Sequence, residues 1–221
     1  MTLPKSPWNN TYAGENKTRD AKPSPLAIYA VSVLKESSQF KDKGGLFILE
    51  LGCGYGRDAF YLAQNLPCRI LGLDSSEETI AIARTSIPPE VQKQVELLCY
   101  DFADVRDKFD IIFASNTYQS LAKEERLKLR QTVQRCLKSG GLLFLNALSV
   151  RDSEHFGKGR PVDGDFNAFF DERFLHFCTR LDLERDFEFL DIQALFEREY
   201  RERQAGGEEQ HIYWFLAGQA K

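Results

Sequence analysis

The sequence predicts one α/β domain built around a mostly parallel sheet, and three observations point there. Hydrophobic runs alternate with longer amphipathic stretches from about residue 25 to the end, the rhythm of strands joined by crossover helices. A glycine turn, Gly52-x-Gly54-x-Gly56, lies between the first strand-like run and the helical stretch that follows it. The chain has 221 residues, 43% of them hydrophobic, which supply one sizeable core more readily than two, and no internal repeat divides them.

Residues 1–25 are polar and rich in proline and asparagine, yet they carry Trp8 and Tyr12, which a purely solvated tail seldom keeps. They are expected to fold back as an arm over the single domain, 26–221. After Pro23-Ser24-Pro25, the segment Leu26 to Phe40 places Ala27, Tyr29, Ala30, Val31, Val33 and Leu34 at helical spacing, and Lys43-Gly44-Gly45 ends that helix. LFILEL at 46–51 reads as the first strand, 52–56 as the glycine turn and 57–66 as a helix. Arg69 to Leu73 is a second strand ending at Asp74, and Ser75 or Ser76 with Glu78 resembles an N-cap and its capping-box partner. Val95 to Tyr100 and Phe109 to Ala114 are strands three and four. A charged amphipathic helix over 123–137 ends at Ser139-Gly140-Gly141, and Leu142 to Leu148 is strand five.

The last third changes character. Residues 149–170 show neither period and contain several glycines, so they read as a long loop, a length usually kept for function. A helix near 171–181 is expected next, placing His176 among Phe170, Phe174 and Phe177 in a structural role. Two strand-like runs, 187–200 and 211–217, flank the turn-like QAGGEEQ and should pair as an antiparallel hairpin.

Charge and cysteines exclude several functions. The 29 Lys+Arg and 33 Asp+Glu are interspersed, with a formal net charge of -4, so a nucleic-acid partner is not expected. No apolar run approaches the roughly 20 residues that span a bilayer, and MTLPKSPWNN lacks the apolar core of a signal peptide. The expectation is a cytoplasmic chain without a membrane partner. Cys53, Cys68, Cys99, Cys136 and Cys178 are widely spaced with no CxxC pair, which reads as free thiols, and no metal site is expected.

The glycine turn alone cannot separate nicotinamide, flavin and sulfonium ligands, but its surroundings discriminate. A dinucleotide fingerprint places its third glycine one residue later, where this chain has Arg57. Glu50, two residues before the first glycine, would repel a pyrophosphate and attract a ligand carrying an ammonium and a sulfonium. Asp74 ends strand two, where a carboxylate accepts from ribose hydroxyls, a device shared with dinucleotide enzymes. Asp101, beside Phe102, follows strand three, where it can accept from an adenine amine while the ring packs on the base. Taken singly, each residue has a bland alternative: local amide capping for Glu50, an N-cap for Asp74, a turn for Asp101 with Asp104. Together they line the carboxyl edge of the sheet, where open α/β folds bind ligands.

FILELGCGYG, with GLDSS, CYDFAD, FDIIFASNTY and LKSGGLLFL, resembles the class I S-adenosylmethionine (SAM)-dependent methyltransferase superfamily over about residues 26–148. LELGCGYGRDAFYLA and the short C-terminal portion look most like its tellurite-resistance and thiopurine-type small-molecule branch. The resemblance implies a Rossmann-like three-layer αβα sandwich whose seven-stranded, mostly parallel sheet has its last strand antiparallel. It implies methyl transfer from SAM to a small-molecule acceptor, leaving S-adenosylhomocysteine. Glu50, Gly52, Gly54 and Gly56 would then surround the methionine end, Asp74 with Ser75 the ribose, and Asp101 with Phe102 the adenine. Arg57 would either pair with the methionine carboxylate or only solvate the helix end. Asn116 would line the methionyl group and the acceptor pocket.

Residues 149–182 and the N-terminal arm are the expected cap of that pocket. Tyr12, Asn116, Tyr118, Arg151, His155 and Arg160 are candidate polar groups, while His211, opening the last strand, is assigned no role. No trithiolate constellation is visible, and Ser115-Asn116-Thr117-Tyr118 stands where amino-DNA methyltransferases carry a proline pair, so neither metalloid capture by cysteines nor methylation of base amines is expected. The rivals are a nicotinamide-dependent oxidoreductase, disfavoured by Glu50 and Arg57, and a non-catalytic SAM-binding protein.

Overall fold

The computed structural model describes residues 22–221 except 42–43 and 205–206, with backbone alone for 41, 201–204 and 207–209. Trp8, Tyr12 and the arm they belong to lie outside the described residues. The strands are β1 Leu46–Leu51, β2 Cys68–Asp74, β3 Val95–Cys99, β4 Phe109–Ala114, β5 Leu137–Leu148, β6 Arg160–Pro161, β7 Ala168–Asp171, β8 Arg173–His176, β9 Leu190–Gln204 and β10 Gly207–Ala220. The helices are α1 Pro25–Glu36, α2 Ser38–Lys41, α3 Arg57–Asn65, α4 Glu77–Thr85, α5 Lys123–Cys136 and α6 Arg180–Asp186.

Seven strands form one sheet in the order β3-β2-β1-β4-β5-β10-β9. The pairings from β3 to β5 are parallel, and β10 runs antiparallel to both β5 and β9. Six strands thus share one direction and the last strand opposes them, as expected. Every residue of β4 is buried, the signature of a central strand covered on both faces. Side chains alternate between the two layers. Ile48, Phe144 and Phe215 meet Leu26, Ala30, Leu34 and Leu62 of α1 and α3. Leu49, Leu143 and Leu216 meet Leu129, Val133 and Phe187 of α5 and the segment after α6. Each such fully buried side chain contributes about 1.5–3 kcal/mol through removal from water.

α1 starts at Ser24, whose Oγ accepts from the Ala27 N–H and whose own N–H donates to Asp58 Oδ1 at 2.7 Å. One buried carboxylate therefore ties the start of α1 to the first turn of α3. Ser76, not Ser75, caps α4, its Oγ accepting from the Thr79 N–H at 3.2 Å.

The C-terminal third departs from expectation. No helix spans 171–181; that stretch turns at Glu172 and pairs β7 with β8, and with β6 it makes a small three-stranded antiparallel sheet inside the expected loop and cap. Alternation along β7 separates its phenylalanines: Phe169 turns inward with Phe177 onto Phe156, with ring centroids 5.4–6.1 Å apart, while Phe170 on the other face is exposed. His176 accordingly sits on β8. The helix begins later because Thr179 and Asp182 form a capping box. β5 begins at Leu137 rather than 142, directly after α5, and His211 lies within β10, which opens at Gly207.

Candidate functional site

Because β1 to β5 run in one direction, their carboxyl ends and the loops after them share one edge of the sheet. The turn after β1 carries Gly52, Gly54 and Gly56 at φ of 70°, 52° and 82°, the left-handed region where glycine is favoured. At Gly52 a Cβ would stand 2.3 Å from Thr117 Oγ1, which donates to the Leu51 carbonyl at 2.9 Å and braces the turn from the β4 side. At Gly54 the space a Cβ would occupy is open to 4 Å, so the backbone is bare on that side.

Two carboxylates flank this loop. Asp74, at the tip of β2, accepts from Gly54 N–H through Oδ2 and from Ser76 N–H through Oδ1, both at 2.9 Å. Burial lifts its carboxyl above the usual range, although the N–H groups of Ser76, Gly54 and Ser75 pull the other way. Glu50 is 3% exposed, and its Oε2 is buried with no hydrogen-bond partner among the described residues. Burial raises its carboxyl well above the ordinary value; the neighbouring Asp58 and Asp74 charges add to that, while Arg57 opposes it. Arg57 itself lies against Asp58, Nε to Oδ1 at 3.3 Å.

Further along the edge, Asp101 caps a short 3-10 turn over 102–104, accepting from Ala103 N–H at 2.9 Å, and Phe102 packs on the α5 layer. Beyond β4, Asn116 has φ 55° and is held at two points by Asn146 of β5. Asn146 Oδ1 accepts from the Asn116 N–H at 2.6 Å, and Asn146 Nδ2 donates to Asn116 Oδ1 at 2.9 Å. Asn146 is 1% exposed, and a buried amide satisfied this way fixes the turn after β4. Neither Asn146 nor Thr117 was among the expected site residues. The signal for Asn146 was present, a polar residue inside the apolar run LLFLNAL.

The structure thus brings Glu50, Gly52, Gly54, Gly56, Arg57, Asp74, Ser75, Asp101, Phe102 and Asn116 to the tips and following turns of four neighbouring strands. The acceptor-side candidates divide. Tyr118 is fully buried against Phe187 and donates to Asp186 Oδ2 at 2.6 Å. Burial and the Asp186 charge push its hydroxyl far up, so its place in an acceptor pocket is withdrawn: it is a core tyrosine tied to α6. Arg160 is exposed on β6. His176 is buried 3.4 Å from Asp165, which Arg126 grips bidentately, and burial with the Arg126 charge pushes it down to about 4. Arg151 pairs with Glu197 of β9, and His155 contacts Asp152. A groove lined by Gly45, Phe47, Pro67 and Lys93 lies at the opposite, amino-terminal edge of the sheet, away from these groups.

Comparison with known proteins agrees with this geometry. Residues 48–141 match the family model described as a methyltransferase domain. The chain is 33% identical over 122 residues to malonyl-[acyl-carrier protein] O-methyltransferase of Bacillus cereus, covering 54% of this chain and 43% of that one. Across the first such curated relatives, the chain spans between 28% and 43% of their length. A SAM-dependent methyltransferase structure from Methanosarcina mazei superposes with a TM-score of 0.70 at 19% identity, covering 90% of this chain and 98% of that one. Magnesium protoporphyrin IX methyltransferase from Synechocystis, solved with S-adenosylhomocysteine, superposes at 0.61 and 16% identity, covering 88% and 81%.

Proposed function

We propose that this chain, which carries a class I SAM-dependent methyltransferase domain, transfers the methyl group of SAM to a small-molecule acceptor. The observation that carries the reading is the buried, unpartnered Glu50 oxygen beside a bare glycine backbone. An anionic donor set of this kind fits a cationic nucleoside and disfavours a pyrophosphate. When bound, SAM supplies an electrophilic methyl on a sulfonium, displaced in line to leave S-adenosylhomocysteine.

The chain's own residues would act as follows. Glu50 and the loop 52–56 would receive the methionine end, whose ammonium charge favours the ionised Glu50 carboxylate, the proton leaving to solvent, while Arg57, at the start of α3, would face the carboxylate end of the ligand. Asp74 would hold the ribose: its carboxylate, fixed by the N–H groups of Gly54, Ser75 and Ser76, keeps lone-pair capacity for a hydroxyl. Asp101 and Phe102 receive the adenine. Asn116, locked by Asn146, borders the reacting methyl and aligns the acceptor, and exclusion of water there strengthens every polar contact.

The arm 1–25 and residues 149–182 close the acceptor side in this reading, with Tyr12 and His155 as its remaining polar candidates. Motif likeness to the tellurite-resistance and thiopurine-type branch favours a thiolate or chalcogen oxyanion, acceptors that attack without a dedicated base. The acidic charge balance favours a small acceptor over nucleic acid, and a cytoplasmic setting accords with it. No helix among the described residues is long and apolar enough to cross a membrane.

Titration calorimetry with SAM, S-adenosylhomocysteine and NADH tests the binding, followed by turnover against thiols, amines, carboxylates and chalcogen oxyanions. Saturable SAM binding with product formation is expected. Binding of NADH in place of SAM overturns the reading, and SAM binding without turnover of any acceptor moves the chain to a non-catalytic SAM-binding role. Deleting residues 1–21 is expected to weaken acceptor turnover more than SAM affinity.

A further inference from the structure

The turn after β5 and the start of the described side chains of β10 bring together three groups far apart in the chain. Asp152, His155 and His211 each offer a ligand atom, and these atoms lie within 4.8 Å of one another. Asp152 Oδ1 is 3.2 Å from His155 Nδ1, and Asp152 Oδ2 is 3.5 Å from His211 Nδ1. Donor atoms around a tetrahedral first-row ion at about 2.0–2.1 Å are separated by about 3.3 Å; each imidazole lies at about that distance from one oxygen of Asp152, His155 from Oδ1 and His211 from Oδ2, so small side-chain rotations suffice to bring three donors round one ion. The two imidazoles stack, with centroids 4.8 Å apart and planes 24° apart, so one ring must turn about its side-chain torsions for both nitrogens to face one ion.

The cluster is built into the fold. Asp152 N–H donates to the Ser149 carbonyl at 2.9 Å, Ser149 N–H donates to the Ile212 carbonyl at 2.9 Å, and Ile212 N–H returns to Asp152 Oδ2 at 3.1 Å. This ring of bonds fastens the turn to β10 and fixes the carboxylate beside His211. The Asp152 side chain is 0% exposed and His211 4%, whereas His155 is 22% exposed and keeps the cluster in reach of solvent. The ion-pair partners of Asp152 among the described residues are these two imidazoles. The backbone N–H groups of His155 and Ile212 also bond the two carboxylate oxygens, at 3.0 and 3.1 Å, and hold them facing the imidazoles.

We propose that Asp152, His155 and His211 bind a divalent first-row transition metal, zinc being the type case, with a fourth position left for a ligand from solution. Two nitrogens and one oxygen suit Zn²⁺ or its neighbours in that row, not Mg²⁺ or Ca²⁺, which take all-oxygen shells. Three protein ligands with one open position are the pattern of metal sites that meet a substrate rather than merely brace a fold. The site lies on the same edge of the sheet as the glycine loop, three strands across from β1, on the flank assigned above to the acceptor. Metal binding stands without the methyltransferase reading; only contact of the open position with an acceptor's anionic donor rests on it.

The full chain, stripped with EDTA and dialysed, is titrated with Co²⁺ followed by visible absorption, then with Zn²⁺ in competition. One Co²⁺ per chain with an intense d–d band of low-symmetry coordination, displaced by one Zn²⁺, is expected. His155→Ala, at the solvent-reachable ligand, should weaken Zn²⁺ by about 100-fold or more while leaving the metal-free melting temperature and SAM binding in place. Zn²⁺ should raise the melting temperature of the wild type and not of the variant. Absence of saturable Co²⁺ binding, or binding that His155→Ala and Asp152→Asn both leave unchanged, overturns the proposal and leaves a hydrogen-bonded Asp-His-His cluster. SAM titrated in the same samples separates failure of this site from failure of the methyltransferase reading.

Discussion

The two halves of the sheet edge are built differently. On the β1–β2 side, the polar groups belong to short turns directly after their strands and bond locally: Gly54 to Asp74, Asp74 to Ser76, Asp101 to Ala103. On the β5–β10–β9 side, side chains from distant segments meet. Arg126 of α5 grips Asp165, Tyr118 and Arg130 share Asp186, Ser149 and Arg151 share Glu197, and Asp152 gathers two histidines. The first half, the ligand cradle of the proposed reading, gathers acidic groups held mainly by backbone N–H groups, and the second is a clamp that pairs charged side chains. The difference teaches that ligand affinity and cap stability are separable here, because few groups serve both.

Breaking the clamp should have the largest effect. Arg126→Met leaves Asp165 buried without its guanidinium partner, a loss of about 3–5 kcal/mol that chemical denaturation would measure. SAM affinity of the folded fraction should hold within about twofold; a large loss of affinity would show the two halves to be coupled. Next comes the cradle. Asp74→Ala removes the acceptor for the N–H groups of Gly54, Ser75 and Ser76 and, in the proposed reading, for the ribose, so calorimetry should record SAM affinity down by about 100-fold, consistent with charged hydrogen bonds of about 1.5–3 kcal/mol.

Glu50→Gln sharpens the comparison, since its effects on stability and binding have opposite signs. The folded-state carboxyl is raised, so the folded chain holds that proton more tightly than the unfolded chain, and stability is lost as pH climbs from the ordinary glutamate range toward the raised value. Glutamine carries no such charge. The variant should match the wild type in acid and melt higher at neutral pH, by about 2–4 °C for each kcal/mol relieved. SAM affinity of the wild type should rise with pH over the same window, as bound cation displaces proton, and that slope should vanish in the variant while affinity falls about tenfold. The smallest effect is expected at Tyr118→Phe: about 1 kcal/mol of stability, with Arg130 still holding Asp186, and unchanged acceptor kinetics. A drop in turnover at constant stability would restore Tyr118 to the pocket.

The cradle was legible in the sequence because its geometry is local. Gly52, Gly54, Gly56 and Asp74 stand at strand ends that hydrophobic runs announce, and the turn after a strand has few conformations open to it. The cap was not. Phe169 to Phe177 carries enough aromatic residues to fit either period, and only pairing across Glu172 decided for strands. Tyr118 stands two residues beyond Asn116, yet one faces the core and the other is held at the strand tips. That split depends on where α6 brings Asp186.

By itself, the sequence determined a parallel α/β core, the antiparallel hairpin at its end and the acidic character of the turns after its strands. These follow from hydrophobic period, turn chemistry and charge, which act over a few residues. Tertiary structure alone decided which buried polar groups found partners. Asn146 meets Asn116, Arg126 meets Asp165 and His211 meets Asp152 across 30 to 60 residues of chain, because adjacent strands bring distant segments within bonding distance. A buried polar atom must be satisfied by whatever the fold places beside it, and spacing along the chain does not encode that neighbour.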